Sequence, residues 1–270
     1  MLALGVTSVL PTSEVFASES PMVPKKAELF KVGVAGWTFW KMKLDPALDE
    51  MEKAGAKYLC IKNFHLPYDA TPEQIAEFHA KLKAKGVIGD AVGPVNMKSE
   101  KETDQMFEYA KRVGVKVMSA VPSFEMLPYV SKKAKEYDIK VAIHNHGFGD
   151  QLYPTLKSIY DKVKDLDVRV GMCHDIGYTR QLGFDPAAET IKYAERIHDV
   201  HLKDIDSEGK DMKDMPVGRG IIDFNAYVKA LRKTKYSGTV HLEYEKDPLD
   251  NLAGICESLG YFNGVIAGMS

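Results

Sequence analysis

From Lys31 onward, short apolar runs alternate strictly with amphipathic stretches, and this rhythm repeats eight times. Residues 32–37, 58–61, 87–92, 115–118, 139–144, 168–173, 197–203 and 238–243 read as buried strands. Helical segments fall between them. Pro46 stands at a helix start, with Leu48, Met51 and Ala54 at helical spacing and Gly55 as the stop. Pro72 opens the second helix and Gly86 closes it, and residues 104–113, 124–137, 152–163, 224–233 and 249–261 follow, with a sixth helix beginning at Pro186. Eight β–α units of about thirty residues each predict an α/β fold, a closed (β/α)8 TIM barrel. The competing architecture, an open doubly wound sheet, carries a Gly-rich phosphate turn after its first strand. Gly33-Val34-Ala35-Gly36 does not match that turn. The 270 residues suit one barrel, and no composition shift interrupts residues 31–270, so a single domain is expected there.

Composition narrows the function. A net charge of −2 leaves no basic face for nucleic acid, and no apolar run reaches the roughly 20 residues that span a bilayer. Cys60, Cys173 and Cys256 are far apart and form no Cys-x-x-Cys pair, which excludes a zinc ribbon. Residues 1–30 read differently from the rest. The first ten are apolar and small, Lys25 is the first basic residue, and Val15-Phe16-Ala17 places small residues at a cleavage-like site before Ser18. This leader resembles part of an export signal, which predicts a periplasmic or otherwise exported protein, with a cytoplasmic one as the alternative.

Chemistry in such barrels gathers at the C-terminal ends of the strands. Here those ends are His144-Asn145-His146-Gly147, Cys173-His174-Asp175, His201-Leu202-Lys203-Asp204 and His241-Leu242-Glu243-Tyr244-Glu245. Five of the eight histidines lie in these four segments. Mixed imidazole and carboxylate donors suit a single divalent ion such as Mn, Co, Zn, Mg or Ni. Side chains alternate along a strand, so His144 and His146 share a face, as do His201 and Lys203, and His241, Glu243 and Glu245. Within each set one residue can reach a metal while its neighbour faces a substrate. His174 points opposite to Asp175 and His241 lies deeper, so both are expected to be bystanders. Lys203 can bind a substrate oxygen, serve as an acid, or pair with Asp204 or Asp175. Trp37 and Phe39 offer an apolar wall for a sugar ring. Lys62 and His65 follow strand two at the same mouth, and Gly218-Arg219-Gly220 can place Arg219 over it.

These residues resemble a family. His144-Asn145-His146, Asp175 with Gly177, His201-Leu202-Lys203-Asp204, Gly218-Arg219-Gly220 with Asp223-Phe224, and Glu243 are similar in order and spacing to the sugar-phosphate isomerase/epimerase family of xylose isomerase-like barrels. The resemblance implies a divalent metal and proton transfer next to a sugar carbonyl. It implies Asp175, His201 and Glu243 as ligands, with His144 in the fourth place. Many members have Glu there, followed by Asn-His, and many have a His where Tyr178 stands. The two-carboxylate arrangement of the epimerases is therefore asymmetric in this chain. Glu243 is expected to be both ligand and base, with a histidine of strand five, His144 or His146, as the other candidate base. Lys203 or the remaining histidine is the expected acid, and Trp37, Lys62, His65, Arg219 and Glu245 are the expected substrate contacts.

The expected function is a metal-dependent sugar isomerase or epimerase that removes a proton next to a carbonyl. A lyase that cleaves keto-glycosides by elimination shares the first step and is the alternative. A Schiff-base aldolase using Lys203 would need a lysine of lowered pKa, and a non-catalytic sugar-binding barrel would need no chemistry at all. A multi-zinc DNA phosphodiesterase would need more ligands and a basic face. The partner expected is a small sugar, with no nucleic acid or membrane, and a homo-oligomer is possible.

Overall fold

A computed structural model describes residues 28–269; the leader expected over residues 1–30 lies almost wholly outside them. Eight parallel strands close a barrel: β1 (Lys31–Ala35), β2 (Tyr58–Ile61), β3 (Ile88–Met97), β4 (Val117–Pro122), β5 (Lys140–His144), β6 (Val170–Asp175), β7 (Ile197–Leu202) and β10 (Thr239–Leu242). An antiparallel pair, β8 (Asp204–Ile205) with β9 (Asp214–Met215), projects beyond β7. The surrounding helices are α1 (Leu44–Lys53), α2 (Pro72–Ala84), α3 (Glu100–Val113), α4 (Leu127–Tyr137), α5 (Leu156–Val163), α6 (Ile176–Gln181), α7 (Pro186–Lys192), α8 (Phe224–Lys233) and α9 (Leu252–Gly268). The (β/α)8 barrel read from the alternation is thus the fold.

Local chemistry explains the boundaries. Thr71 closes a capping box with Gln74 and Pro72 fills the first turn of α2, which satisfies the orphan amides there. Thr155 does the same for α5 with Ser158, so that helix starts at Leu156 rather than 152. β3 is longer than its apolar run. Gly93-Pro94 interrupts the run, yet the strand re-registers past it and pairs Val95 with Ala120. α9 starts at Leu252 and runs on to Gly268, past the end expected near 261, and its first turn is tied down by Asn251, whose Nδ2 donates to Thr38 O at 2.7 Å. α6 and the β8–β9 hairpin have no periodic signal and were not expected.

The parallel register sets the height of the site residues. His144 pairs with Cys173, Asp175 with His201, and His201 with His241. The C-terminal ends of β5, β6, β7 and β10 therefore bring their polar residues to one end of the barrel. Aliphatic side chains such as Val92, Met118, Val141, Val170 and Val240 are buried along the strands between that end and the helices. No helix among the described residues is long and apolar enough to cross a membrane.

Candidate metal centre

His144 closes β5, Asp175 closes β6, His201 lies in β7 and Glu243 follows β10 directly. All four are buried, and one donor atom from each lies within 4.8 Å of the others. His144 Nε2 is 2.9 Å from His201 Nδ1 and 3.6 Å from Asp175 Oδ2, and His201 Nδ1 is 3.3 Å from Glu243 Oε2. Donors bound at about 2.0–2.2 Å to one ion stand roughly 3.0–3.5 Å from each other, so these separations are near those of a ligand shell, the shortest being an imidazole–imidazole hydrogen bond that an ion would replace.

The hydrogen bonding points the same way. Asp175 Oδ1 accepts the Tyr178 amide at 2.9 Å and so caps α6, which leaves Oδ2 buried with no partner. Asn145 grips the Asp175 backbone from both sides: its Oδ1 accepts the Asp175 N–H at 2.9 Å and its Nδ2 donates to the carbonyl at 3.1 Å. His144 Nδ1 and His201 Nε2 are also buried and unpartnered, but they are the ring nitrogens turned away from the other donors, so the orphan that faces the cluster is Asp175 Oδ2. Buried polar atoms are nearly always satisfied, so a carboxylate oxygen left without a hydrogen bond among these donors calls for a missing partner. Two imidazoles and two carboxylates are a donor set for a divalent ion, and the residues fit one.

Electrostatics prepares the donors. Burial, reinforced by His201 and His146, pushes His144 well below the ordinary histidine value and keeps it neutral, as a ligand must be. Burial would raise Glu243, but His201 and Lys203 outweigh it and hold the carboxyl well below its usual range. Burial pushes Asp175 up, against the pull of Lys203. Lys203 Nζ sits 3.1 Å from Glu243 Oε2 and 3.6 Å from Asp175 Oδ2, and it bonds Glu245. Burial alone would lower its pKa, yet the carboxylates of Glu243, Asp175 and Glu245 win and keep it charged. The lysine can lie here because residue 177 is Gly: a Cβ there would come within 2.7 Å of Lys203 Cβ.

The remaining expected residues divide. Glu245 bridges Lys203 and Trp37, whose Nε1 donates to Glu245 Oε2 at 2.8 Å. Trp37 stacks on Trp40 at 5.9 Å. Phe39, by contrast, is fully buried in the core rather than on the wall. Lys62 Nζ donates to Pro94 O at 3.0 Å and lies 5.1 Å from the Trp37 ring, at the edge of this group. His65 Nε2 bonds Met42 O at 3.0 Å, so it braces a loop. The His146 ring lies 4.4 Å from that of His144, tilted by 47°, and its Nδ1 is 2.9 Å from Asp150 Oδ2 without hydrogen-bond alignment. His174 is spent on Thr190 and Thr179, and His241 on Asp199 and Asp90.

Arg219 does not cover the mouth. Its guanidinium pairs with Glu257 on α9. The Gly-Arg-Gly turn serves Asp204 instead, which accepts the amides of Ile205, Gly218, Gly220 and Ile222 at 3.0, 2.9, 2.8 and 3.2 Å. A Cβ at Gly220 would fall 2.3 Å from Asp204 Oδ1, so only glycine lets that amide approach. Lys203 likewise pairs with Asp175 rather than Asp204. Three residues of the site escaped the sequence. Tyr178 lies under Lys203 Nζ at 4.6 Å, and its only signal was its place after Gly177. Asn145 was visible in His144-Asn145-His146 but carried no role. Asp214 lies in an irregular segment with no pattern to find.

A barrel with two imidazoles and two carboxylates converging at its C-terminal mouth defines a class, the barrels built around a divalent-ion site. Within that class, the chain belongs to the xylose isomerase-like TIM barrel family, whose model matches residues 48–264. A solved structure of an uncharacterized protein from Parabacteroides distasonis is 28% identical, with a TM-score of 0.71, over 90% of this chain and 100% of that one. The IolI protein, whose structure holds a zinc atom, has a TM-score of 0.73 over 88% of this chain and 99% of that one; at 21% identity it shows the fold alone. An inosose dehydratase of Clostridium tetani is 33% identical over 137 residues, which is 44% of this chain and 45% of that protein. The chain spans less than half the length of the curated relatives it matches.

Proposed function

We propose that this protein is a divalent-metal-dependent enzyme that removes the proton next to the carbonyl of a sugar-like ketone, and that the product forms by elimination of an oxygen substituent one carbon further on. The sugar isomerase or epimerase expected from the sequence shares the first half of this reaction. The observation that carries elimination is the state of His144. It turns Nε2 toward the other donors and buries Nδ1, so it presents no free base to a substrate. Glu243 is then the carboxylate base among the strand-end donors, and the strand-five member of an opposed carboxylate pair is replaced by this imidazole. The inosose dehydratases among the relatives are named for a reaction that also loses oxygen as water.

A bound divalent ion supplies a Lewis acid for the ketone oxygen, an effect worth several kcal/mol. The chain supplies the rest. Glu243, held ionised by His201 and Lys203, accepts the proton through Oε2 or its second oxygen. Lys203 balances the carboxylates, and Trp37 fixes Glu245 beside it. A charged, carboxylate-bound Lys203 is a poor Schiff-base nucleophile, which disfavours the aldolase.

The test combines two measurements on purified protein. Metal analysis should return one ion per chain. Incubation in deuterated water with 3-keto-glycosides, inososes or free ketoses should place deuterium on the carbon next to the carbonyl and release the alcohol or water. Inversion at that carbon without loss of the substituent would establish an epimerase. Binding of a ketose with no exchange and no product would leave a sugar-binding barrel.

A further inference from the structure

Asp214 stands outside every role assigned above. It lies on β9, paired with Ile205 of β8 in the hairpin that leaves β7 immediately after Lys203. The hairpin is tightly held. Asp206 N donates to Lys213 O at 3.0 Å, Lys213 N donates to Asp206 Oδ1 at 2.9 Å, and Asp204 gathers four amides at its base. Such a frame fixes where the Asp214 carboxyl sits. The hairpin springs from the mouth end of β7, one residue beyond Lys203, and the Asp214 Oδ1 is buried with no hydrogen-bond partner. Burial pushes its pKa up to about 6, so roughly a tenth of it carries the proton at pH 7.

The elimination needs an acid. Lys203 is already paired with Glu243 and hydrogen-bonded to Glu245, and His146 is drawn to Asp150. We infer that Asp214 donates the proton to the departing oxygen, and that its hairpin forms the subsite for the leaving group. This rests on the elimination reading. The balance is complete without any further reactant. The C–H pair becomes the new carbon–carbon double bond, the C–O pair leaves with oxygen, and oxygen takes the Asp214 proton. The products are an unsaturated ketone and an alcohol or water. Glu243 ends protonated and Asp214 ionised, and exchange with solvent resets both. An anomeric leaving group requires the carbonyl at C3, because the C–O bond that breaks must lie one carbon beyond the acidic C–H.

The experiment compares metal-loaded wild type with Asp214→Asn on methyl and 4-nitrophenyl 3-keto-glucosides. A departing alkoxide needs protonation, whereas nitrophenolate leaves unaided. Loss of the acid should slow the methyl substrate by about 10²–10⁴-fold and the nitrophenyl substrate by less than about tenfold. Deuterium exchange next to the carbonyl and one metal per chain should persist. Equal slowing of both substrates together with loss of exchange would mark Asp214 as structural, and no slowing of either would remove it from the reaction. Leaving-group dependence in Tyr178→Phe instead would move the acid to Tyr178. Wild type that exchanges the proton but never eliminates overturns the assignment while proton abstraction stands, and wild type that does neither overturns both. Should Asp214→Asn lose its metal, Asp214→Ser puts the same comparison to a smaller side chain.

Discussion

Two imidazole–carboxylate clusters lie in the same barrel, one two residues deeper than the other along β7 and β10, and they differ in how fully their polar atoms are matched. The deeper one is closed. His241 Nδ1 meets Asp199 Oδ1 at 2.9 Å and Nε2 meets Asp90 Oδ1 at 3.0 Å. Asp199 also accepts the Val200 amide at 3.0 Å, and Asp90 accepts the Thr239 hydroxyl. Burial would lower the His241 pKa, but the two aspartates push it up to about 10, so a cation sits between two anions with both ring nitrogens occupied. The upper cluster of His144, Asp175, His201 and Glu243 is open: Asp175 Oδ2, which faces the other donors, has no hydrogen-bond partner. Both combine imidazoles with carboxylates, one imidazole in the deeper cluster and two in the upper. An unmatched acceptor marks the cluster that awaits something.

Removing an anionic donor from the open cluster should have the largest effect. Asp175→Asn retains an oxygen for the Tyr178 amide and so keeps the α6 cap, but it replaces the orphan Oδ2. Metal affinity should fall by more than the roughly 10–100-fold that outer-sphere partners contribute. Metal content after dialysis should drop from one ion to almost none, with the circular dichroism spectrum unchanged. Retention of a full equivalent would mean that the open cluster is not the metal site.

The closed cluster should answer in the opposite sense. His241→Gln leaves Asp90 and Asp199 buried without their cation, and breaking such a buried pairing costs about 3–5 kcal/mol. Urea denaturation in chelator should show that loss, while the folded protein still takes up one metal. A variant as stable as wild type, or one stable but metal-free, would collapse the distinction between the two clusters.

The sequence carried this distinction only in part. The barrel was legible because strand and helix periodicities are local, and all eight strands lie where the apolar runs placed them, to within a few residues at their ends. His144, Asp175, His201 and Glu243 were legible because parallel strands must bring their C-terminal ends to one rim, and the structure does bring them together. His174 and His241 were separable from them by side-chain alternation and depth. The fate of Gly218-Arg219-Gly220 was not legible. Whether an amide or a guanidinium of that turn faces inward depends on Asp204, fourteen residues before Gly218, and no local pattern records that pairing. Asp214 was invisible for the same reason: a two-residue strand in a long connection has no period.

A third imidazole, at the opposite end of the barrel, gives the smallest and most separable effect. His198 lies at the start of β7, with Nε2 2.8 Å from Val168 O. Burial, with Lys140 and then Arg196 adding to it, pushes its pKa down to about 4. The ring is therefore neutral in the folded chain, whereas in the unfolded chain it protonates near 6.5. The unfolded state binds the extra proton, so the folded state loses stability as pH falls from about 6.5 to 4, and the loss levels off below that. His198→Gln keeps an amide N–H for Val168 O and removes the titration. Denaturation in chelator at pH 7.5 and 4.5 should show wild type losing about 2 kcal/mol more than the variant over that interval. Acid sensitivity arising elsewhere is common to both proteins and cancels in the difference. An equal loss in both would show that His198 is not held neutral, and that the three imidazole environments of this barrel differ less than their hydrogen bonds indicate.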